Sequence, residues 1–186
     1  MTNILNKYIF LFFGLIILLS FHPVNAANFS NDLRDIRSEI NKDNLQKALK
    51  KIKKIKIKNE NEQDQVNVLF GDIYLKINQP TKAEEFYQKS FFTSDRYIES
   101  LAMIGLAEVR LFQGKLDDAI NYSKQALMFN ENKIRPNIIL AIAHTRLGNG
   151  DEALKVLNKI YNNNKSNADV SLAISDYYSV FEDTNQ

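Results

Sequence analysis

Apolar residues recur along this chain every three or four positions, which is the spacing of one face of an α-helix. Leu33, Ile36 and Ile40 form the first such stripe, and Val170 and Ile174 belong to the last. No segment alternates apolar and polar residues for long, as a half-buried strand would. The pattern therefore predicts an all-α protein.

A repeat with a period of about 34 residues, a length typical of stacked helical hairpins, runs through the middle of the chain. Ala83, Ala119 and Ala153 each open a second helix, and the two intervals between them differ by only two positions. Gly114 and Gly148 end the preceding helices and are separated by the same interval as Ala119 and Ala153, and we expect both to adopt the left-handed conformation. Two independent landmarks that share one spacing indicate a repeated helix–turn–helix unit.

The unit resembles the tetratricopeptide repeat, whose pattern is W-x2-L-G-x2-Y, then A-x3-F, then P. The matching positions in the three copies are Asn67, Phe70, Gly71, Tyr74, Ala83 and Tyr87; Met103, Leu106, Ala107, Arg110, Ala119 and Ser123; and Asn137, Leu140, Ala141, His144, Ala153 and Leu157. The chain departs from the pattern by having no tryptophan, no closing proline, and Arg110 in place of an aromatic residue. The resemblance implies about three and a half to four hairpins stacked in a right-handed superhelix.

The period divides the chain into successive units. We expect a signal peptide at 1–26, a degenerate hairpin at 27–63, three repeats at 64–99, 100–133 and 134–167, and a capping helix with a tail at 168–186. Ala48 precedes Ala83 by nearly the same interval, which places the degenerate hairpin in the same register.

Helix starts are predicted from residues that can cap them. Thr81 and Glu84 have the spacing of a capping box, and Asp151 and Asn167 are candidate N-caps of later helices. Asp43 with Gln46 is expected to begin a lysine-rich helix that extends over about residues 44–58.

The N-terminal residues have the order of a secretory signal peptide. Lys7 precedes an apolar run over residues 8–19, and the small residues of Val24-Asn25-Ala26 precede Ala27. We expect cleavage before Ala27 and export, to the periplasm of a bacterium whose AT-rich genome is suggested by the abundance of Asn, Lys and Ile. The alternative is an uncleaved segment that anchors the protein in the inner membrane.

Charge and residue counts argue against several classes of function. The net charge is only +2, so nucleic acid is not expected as a partner. The chain has no cysteine, and His144 is the only histidine after residue 26, which leaves no set of residues for a Cys/His metal site. No phosphate-binding glycine motif or nucleophile elbow occurs. We therefore predict a protein that is not an enzyme and that carries no cofactor.

The inner helices of the stacked hairpins are the first candidate binding surface, because proteins with such repeats usually take peptides on the concave side. The predicted groove consists of Val68, Asp72, Leu75, Leu101, Ile104, Glu108, Arg135, Ile138 and Ile142. Asp72 and Glu108 occupy equivalent places, which favours an apolar ligand segment that bears a cation. The alternative is that these side chains only pack between repeats.

A cluster of lysines on one helix face is the second candidate surface. Its members are Lys47, Lys50, Lys51, Lys54 and Lys58, which could bind anionic lipids or an acidic partner. The cluster could also mediate self-association with the acidic later repeats, or it could be no more than a solvated helix face. The sequence thus favours an exported adaptor that binds one or more proteins, with a membrane-surface component as the alternative.

Overall fold

The computed structural model describes residues 24–129 and 133–182, and within them every regular element is an α-helix. The helices are α1 Val24–Asn41, α2 Leu45–Ile52, α3 Glu60–Lys76, α4 Pro80–Lys89, α5 Arg96–Phe112, α6 Leu116–Leu127, α7 Ile134–Arg146, α8 Gly150–Asn163 and α9 Ala168–Glu182. The predicted all-α fold is confirmed. The predicted signal peptide falls mainly on residues 1–23, which lie outside the described residues, and residues 24–26 begin α1.

One residue in the left-handed conformation ends the first helix of each hairpin. These residues are Asp43, Asn78, Gly114 and Gly148, with φ of 59°, 61°, 72° and 77°. In each turn the next amide donates to a carbonyl five residues back, as Lys115 N does to Arg110 O at 2.9 Å. This Schellman geometry satisfies the terminal carbonyls and reverses the chain. The expectation for the two glycines is confirmed.

An alanine on the second helix of each hairpin lies against the first helix. Ala48, Ala83, Ala119 and Ala153 occupy this place, and all four are fully buried. Because a methyl group occupies little space, the two helix backbones can approach closely. The period seen in the sequence is therefore the period of this contact.

Tyr87 on α4 fills the space between two inner helices. Its ring is fully buried, and a Cβ added at Gly71 on α3 or at Gly105 on α5 would overlap it. Its hydroxyl donates to Oδ1 of Asp72 at 2.8 Å. Burial, reinforced by the Asp72 charge, raises the pKa of Tyr87. The two glycines thus allow one aromatic ring to join three helices.

The pattern of contacts between helices gives the solenoid its curvature. The odd-numbered helices contact one another in succession, α1 with α3, α3 with α5, α5 with α7, and α7 with α9. Among the described helices, no two even-numbered ones are in contact. The odd-numbered helices are therefore crowded on the inside of the curve, and their free faces form the concave surface.

Two of the predicted helix starts differ from the structure. Helix α4 begins at Pro80, with Gln79 at the N-cap, because proline suits the first helical turn, where no backbone donor is needed. Thr81 therefore does not cap this helix. Helix α8 likewise begins at Gly150, with Asn149 at the N-cap, so Asp151 lies in the first turn instead.

Glu84, the other half of the predicted capping box, holds an arginine. The Arg110 guanidinium donates through Nη1 and Nη2 to the two Glu84 carboxylate oxygens, at 2.9 and 2.5 Å. This hydrogen bonding lowers the pKa of Glu84 and raises the pKa of Arg110. Arg110, which departs from the aromatic pattern, thus ties its own repeat to the second helix of the repeat before it. The predicted cap of α9 is confirmed, since Val170 N donates to Asn167 Oδ1 at 3.1 Å.

The predicted lysine-rich helix over residues 44–58 is wrong in its extent. Helix α2 ends at Ile52, and residues 53–58 form the connection to α3. Like charges three or four residues apart destabilise a helix, and continuing α2 would align Lys50 with Lys53 and Lys54. Ile55 instead packs on the core cluster formed by α1, α2 and α3. Asp43 adopts positive φ, and Asn44 takes the N-cap position.

We expect Ala153→Leu to destabilise the protein, because overpacking a close helix contact costs about 1–3 kcal/mol. Thermal unfolding followed by circular dichroism should show a clearly lower Tm. Ala168→Leu makes the same change at an exposed alanine on α9 and should leave the Tm nearly unchanged. Equal effects of the two substitutions would contradict the close packing at Ala153.

Candidate protein-binding groove

Arg135 connects three inner helices on the concave surface. From the first turn of α7, its guanidinium pairs with the Glu108 carboxylate of α5 and, through Nη2, with Oδ1 of Asp72 on α3 at 3.2 Å. Burial opposes the charged form, but Glu108 and Asp72 outweigh it and raise the pKa of Arg135. The three residues form a single ion network across successive repeats.

The ion network restricts the ligand-binding role predicted for Asp72 and Glu108. Asp72 and Glu108 were expected to select a cation on the ligand, and both carboxylates already hold the guanidinium of Arg135. A ligand cation would have to displace Arg135 to reach them.

A cavity of about 460 Å³ lies on the C-terminal side of Arg135, between α5, α7 and α9. We call it the C-terminal chamber; it is lined by Glu108, Leu111, Ile134, Arg135, Ile138, Ile139, Ile142, Asn167, Asp169, Leu172, Ala173 and Asp176. One wall is an apolar stripe of α7, formed by Ile134, Ile138 and Ile142 at intervals of four residues. The opposite wall, on α9, carries the carboxylates of Asp169 and Asp176 on either side of Leu172. The α7 wall of the chamber is thus apolar, and the α9 wall carries exposed carboxylates at the rim.

A smaller cavity of about 270 Å³ lies on the N-terminal side of Arg135, between α1, α3 and α5. Its lining consists of Arg37, Ile40, Asn41, Val68, Leu69, Asp72, Tyr97, Leu101 and Arg135. Because Arg135 lines both cavities, its side chain divides the concave surface into two compartments.

The residues predicted to line the groove are distributed unequally. Glu108, Arg135, Ile138 and Ile142 line the C-terminal chamber, while Val68, Asp72 and Leu101 line the smaller cavity together with Arg135. Leu75 lines neither cavity and packs against the core cluster around Tyr87.

Ile104, which was predicted to line the groove, is not accessible to a ligand. Ile104 is only 2% exposed, because it packs with Ile139 and Leu140 of α7. Val68 is also buried, at 4% exposure, and contributes only to the floor of its cavity. Each inner helix is covered by the next one, so a face that looks free on a single helix is lost when the repeats stack.

The residues of the α9 wall are not among those predicted from the sequence to line the groove. Asp169, Leu172 and Asp176 have helical spacing, on a different face from the predicted core stripe that contains Val170 and Ile174, and the buried Ala173 lies between the two faces. Val170 is fully buried, as that stripe predicts. The same periodicity could have identified the second stripe, but a capping helix is usually assumed to present only solvent-exposed residues on its outer face.

Two of the five lysines of the predicted anionic-surface patch are paired with acidic residues of α1. Lys47 Nζ and Lys51 Nζ lie 2.8 and 3.1 Å from Oε1 of Glu39, and Lys51 also lies 3.6 Å from Asp35. Hydrogen bonds from Lys47, Asn44 and Lys51 lower the pKa of Glu39 to about 2.

The other lysines of this region remain exposed. Lys50, Lys54 and Lys58 make no side-chain ion pair with any described residue, and neither do the neighbouring Lys53 and Lys56. These five residues, which lie on α2 and on the connection that follows it, are called the lysine segment below.

Among the described residues, no group of His, Cys, Asp and Glu could hold a metal ion. His144 is half-buried on α7, and burial lowers its pKa. No helix between residues 24 and 182 has both the length and the apolar character needed to cross a membrane.

The fold and the concave surface together define a helical repeat solenoid. Two tetratricopeptide repeat family models match the sequence, one over residues 64–91 and the other over residues 102–176. Each of these two segments therefore matches the tetratricopeptide repeat. Such repeats generally mediate protein–protein interactions, and proteins built from them are generally non-enzymatic scaffolds.

A solved structure supports the same fold. The chain is similar to a tetratricopeptide repeat protein from Parabacteroides merdae, with a TM-score of 0.61 and 16% identity, over 96% of this chain and 72% of that one. At this identity the similarity shows the fold alone. A comparison with curated proteins finds no match.

The pairing of Glu39 predicts a specific dependence of stability on pH. Since its pKa falls from 4.5 to about 2 on folding, the charged form adds stability that is fully present above pH 4.5 and is lost as the pH falls toward 2. We expect Glu39→Gln to reduce the decline of the urea midpoint over this range. The matched control Glu85→Gln changes an exposed glutamate on α4 and should retain the parental decline. An unaltered decline in Glu39→Gln would contradict the pairing.

Proposed function

We propose that this chain is an exported protein-binding scaffold, and that the C-terminal chamber holds a segment of its partner. The observation that carries the proposal is the open cavity of about 460 Å³ formed by three successive inner helices. Its α7 wall offers the half-buried Ile138 and Ile142, which can lose their remaining water when a ligand binds.

The chamber favours an apolar segment of the partner. Desolvation of a few apolar anchors supplies most of the binding energy at protein interfaces, while charges orient the partner and set its rate of association. A cation on the partner can reach Asp169 or Asp176 at the rim without displacing Arg135, and these two carboxylates form no ion pair with any described residue.

Export is supported by the sequence of residues 1–26. Cleavage before Ala27 would release the repeats into the periplasm, whereas retention of the apolar run would hold them at the inner membrane. The intact mass of the protein from the periplasmic and membrane fractions distinguishes the two, because only the cleaved form begins at Ala27.

We expect Ile142→Asp to weaken partner binding strongly, because a charge in the chamber would have to be desolvated. The partner would first be captured by a photocrosslinking residue at position 142 and then purified, so that its Kd can be measured directly. A loss of about 30-fold, typical of a hot-spot residue, is expected. The control Leu147→Asp places the same charge on an apolar residue that is 40% exposed and outside the chamber.

Both variants must retain the parental helical circular dichroism signal. Capture from position 142 should exceed capture from Tyr161, which is exposed on the outer helix α8. If folded Ile142→Asp binds the purified partner as tightly as Leu147→Asp does, the chamber is not the binding site.

A membrane-surface role is the second candidate, and the lysine segment favours it. Its five exposed cations flank Ile57, which is 40% exposed. Basic residues near an anionic bilayer contribute about 1 kcal/mol each, and an apolar side chain among them can enter the headgroup region.

We expect anionic vesicles to bind the protein at low salt if this second role is correct. Lys53, Lys54 and Lys56 changed together to Gln should then abolish cosedimentation with phosphatidylserine vesicles. Lys124, Lys155 and Lys165 changed to Gln remove the same charge from exposed sites elsewhere and should leave binding intact. Equal binding by the two triple variants, or no binding by the parent, would exclude the lysine segment as a membrane contact.

A further inference from the structure

Three equivalent residues of successive inner helices differ greatly in exposure. Ile104 on α5, Ile138 on α7 and Leu172 on α9 follow one another at intervals of one repeat length. Ile104 is 2% exposed, Ile138 is half-buried, and Leu172 is 62% exposed. Exposure therefore rises toward the C-terminal end of the solenoid.

The cause of this gradient is the inner helix that follows each residue. Ile104 is covered by α7 through a cluster that contains Ile139, Leu140 and Ala143. Ile138 packs against the cluster that includes Val170 and Ala173 of α9. No helix follows α9 in the part of the chain that the structure describes, so Leu172 has no such cover.

Acidic residues also occupy equivalent positions on α5 and α9. Glu108 lies four residues after Ile104 and pairs with Arg135, which stands in the first turn of the covering helix α7. Asp176 lies four residues after Leu172, two repeat lengths beyond Glu108. Asp176 makes no ion pair with a described residue. The exposed face of α9 thus carries an apolar and an acidic residue equivalent to those of α5. On α5 these residues contact the next inner helix, α7.

We infer that α9 is a docking surface for one helix of a partner protein, which stacks on it as a further inner helix would. The helix should carry Lys or Arg in its first turn, to pair with Asp176 as Arg135 pairs with Glu108. Apolar residues four, five and eight positions after that cation should cover Leu172, as Ile139, Leu140 and Ala143 cover Ile104. The inference rests on the proposed function, because it names the partner element that would lie beside the C-terminal chamber.

The chain itself supplies the probe. A stapled, fluorescently labelled peptide with the sequence of residues 133–147 contains α7, the helix that covers the equivalent face of α5. The staple is needed because so short a helix is marginal in water. Binding to the full-length protein would be followed by fluorescence anisotropy at low salt.

Two substitutions on α9 test the apolar and acidic halves of the contact separately. Leu172→Gln should weaken peptide binding about tenfold or more, because one leucine side chain would no longer be buried. Asp176→Asn should weaken it by about two- to fivefold, the range of an exposed ion pair. Leu147→Gln and Asp151→Asn make the same chemical changes at exposed sites off α9 and should leave the Kd unchanged.

A charge exchange gives the sharpest result. The peptide with Arg135→Asp should bind the parent more weakly and should regain affinity for the Asp176→Arg protein. Restored binding in this pair alone would place the first-turn cation beside Asp176.

Failure of the docking inference can be distinguished from failure of the proposed function. If the peptide does not bind, or binds the Leu172→Gln variant as well as the parent, the docking inference is wrong, even where position 142 still captures a partner. Sedimentation velocity of the protein alone adds one more outcome. A dimer that is lost in the Leu172→Gln variant would mean that a second copy covers α9, which would overturn the assignment to a separate partner.

Discussion

The close approach of two helix backbones within each hairpin is the constraint on which the rest of the structure depends. It requires a fully buried alanine near the start of each second helix, and in the first repeat it also requires Gly71 beside the ring of Tyr87. The left-handed residue between the helices reverses the chain at a fixed distance from that alanine. Once both are in place, every hairpin has the same shape, and stacking the hairpins can only produce a regular curved array.

Regular stacking explains why the concave surface is neither uniform nor fully open. Each inner helix covers the one before it, so apolar residues such as Ile104 are buried between helices and cannot contact a ligand. Arg135 then pairs with the half-buried carboxylates of two earlier repeats and separates the remaining space into two cavities. The larger cavity lies at the C-terminal end, where no described helix follows α9.

The period, the all-α class and the turn glycines could be predicted from the sequence, because they depend on contacts within one hairpin. Ile104 could not be placed, since its burial depends on α7, which follows only after the whole of α6. The pairing of Arg135 with Asp72 joins residues 63 positions apart, and no local pattern reports such a contact. Likewise, the end of α2 at Ile52 reflects lysine repulsion and the packing of Ile55, which together override a helical periodicity that continues to Lys58.

The ion network of Arg135 also has a mechanical meaning. A solenoid whose repeats touch only their neighbours behaves as a spring, which can open or close its curve with little change at any single contact. Arg135 spans α3, α5 and α7, so unbending this stretch would lengthen its contact with Asp72. The central hairpins should therefore resist bending. Changes in the curvature of the solenoid should be concentrated at α1 and α2 on one side and at α9 on the other.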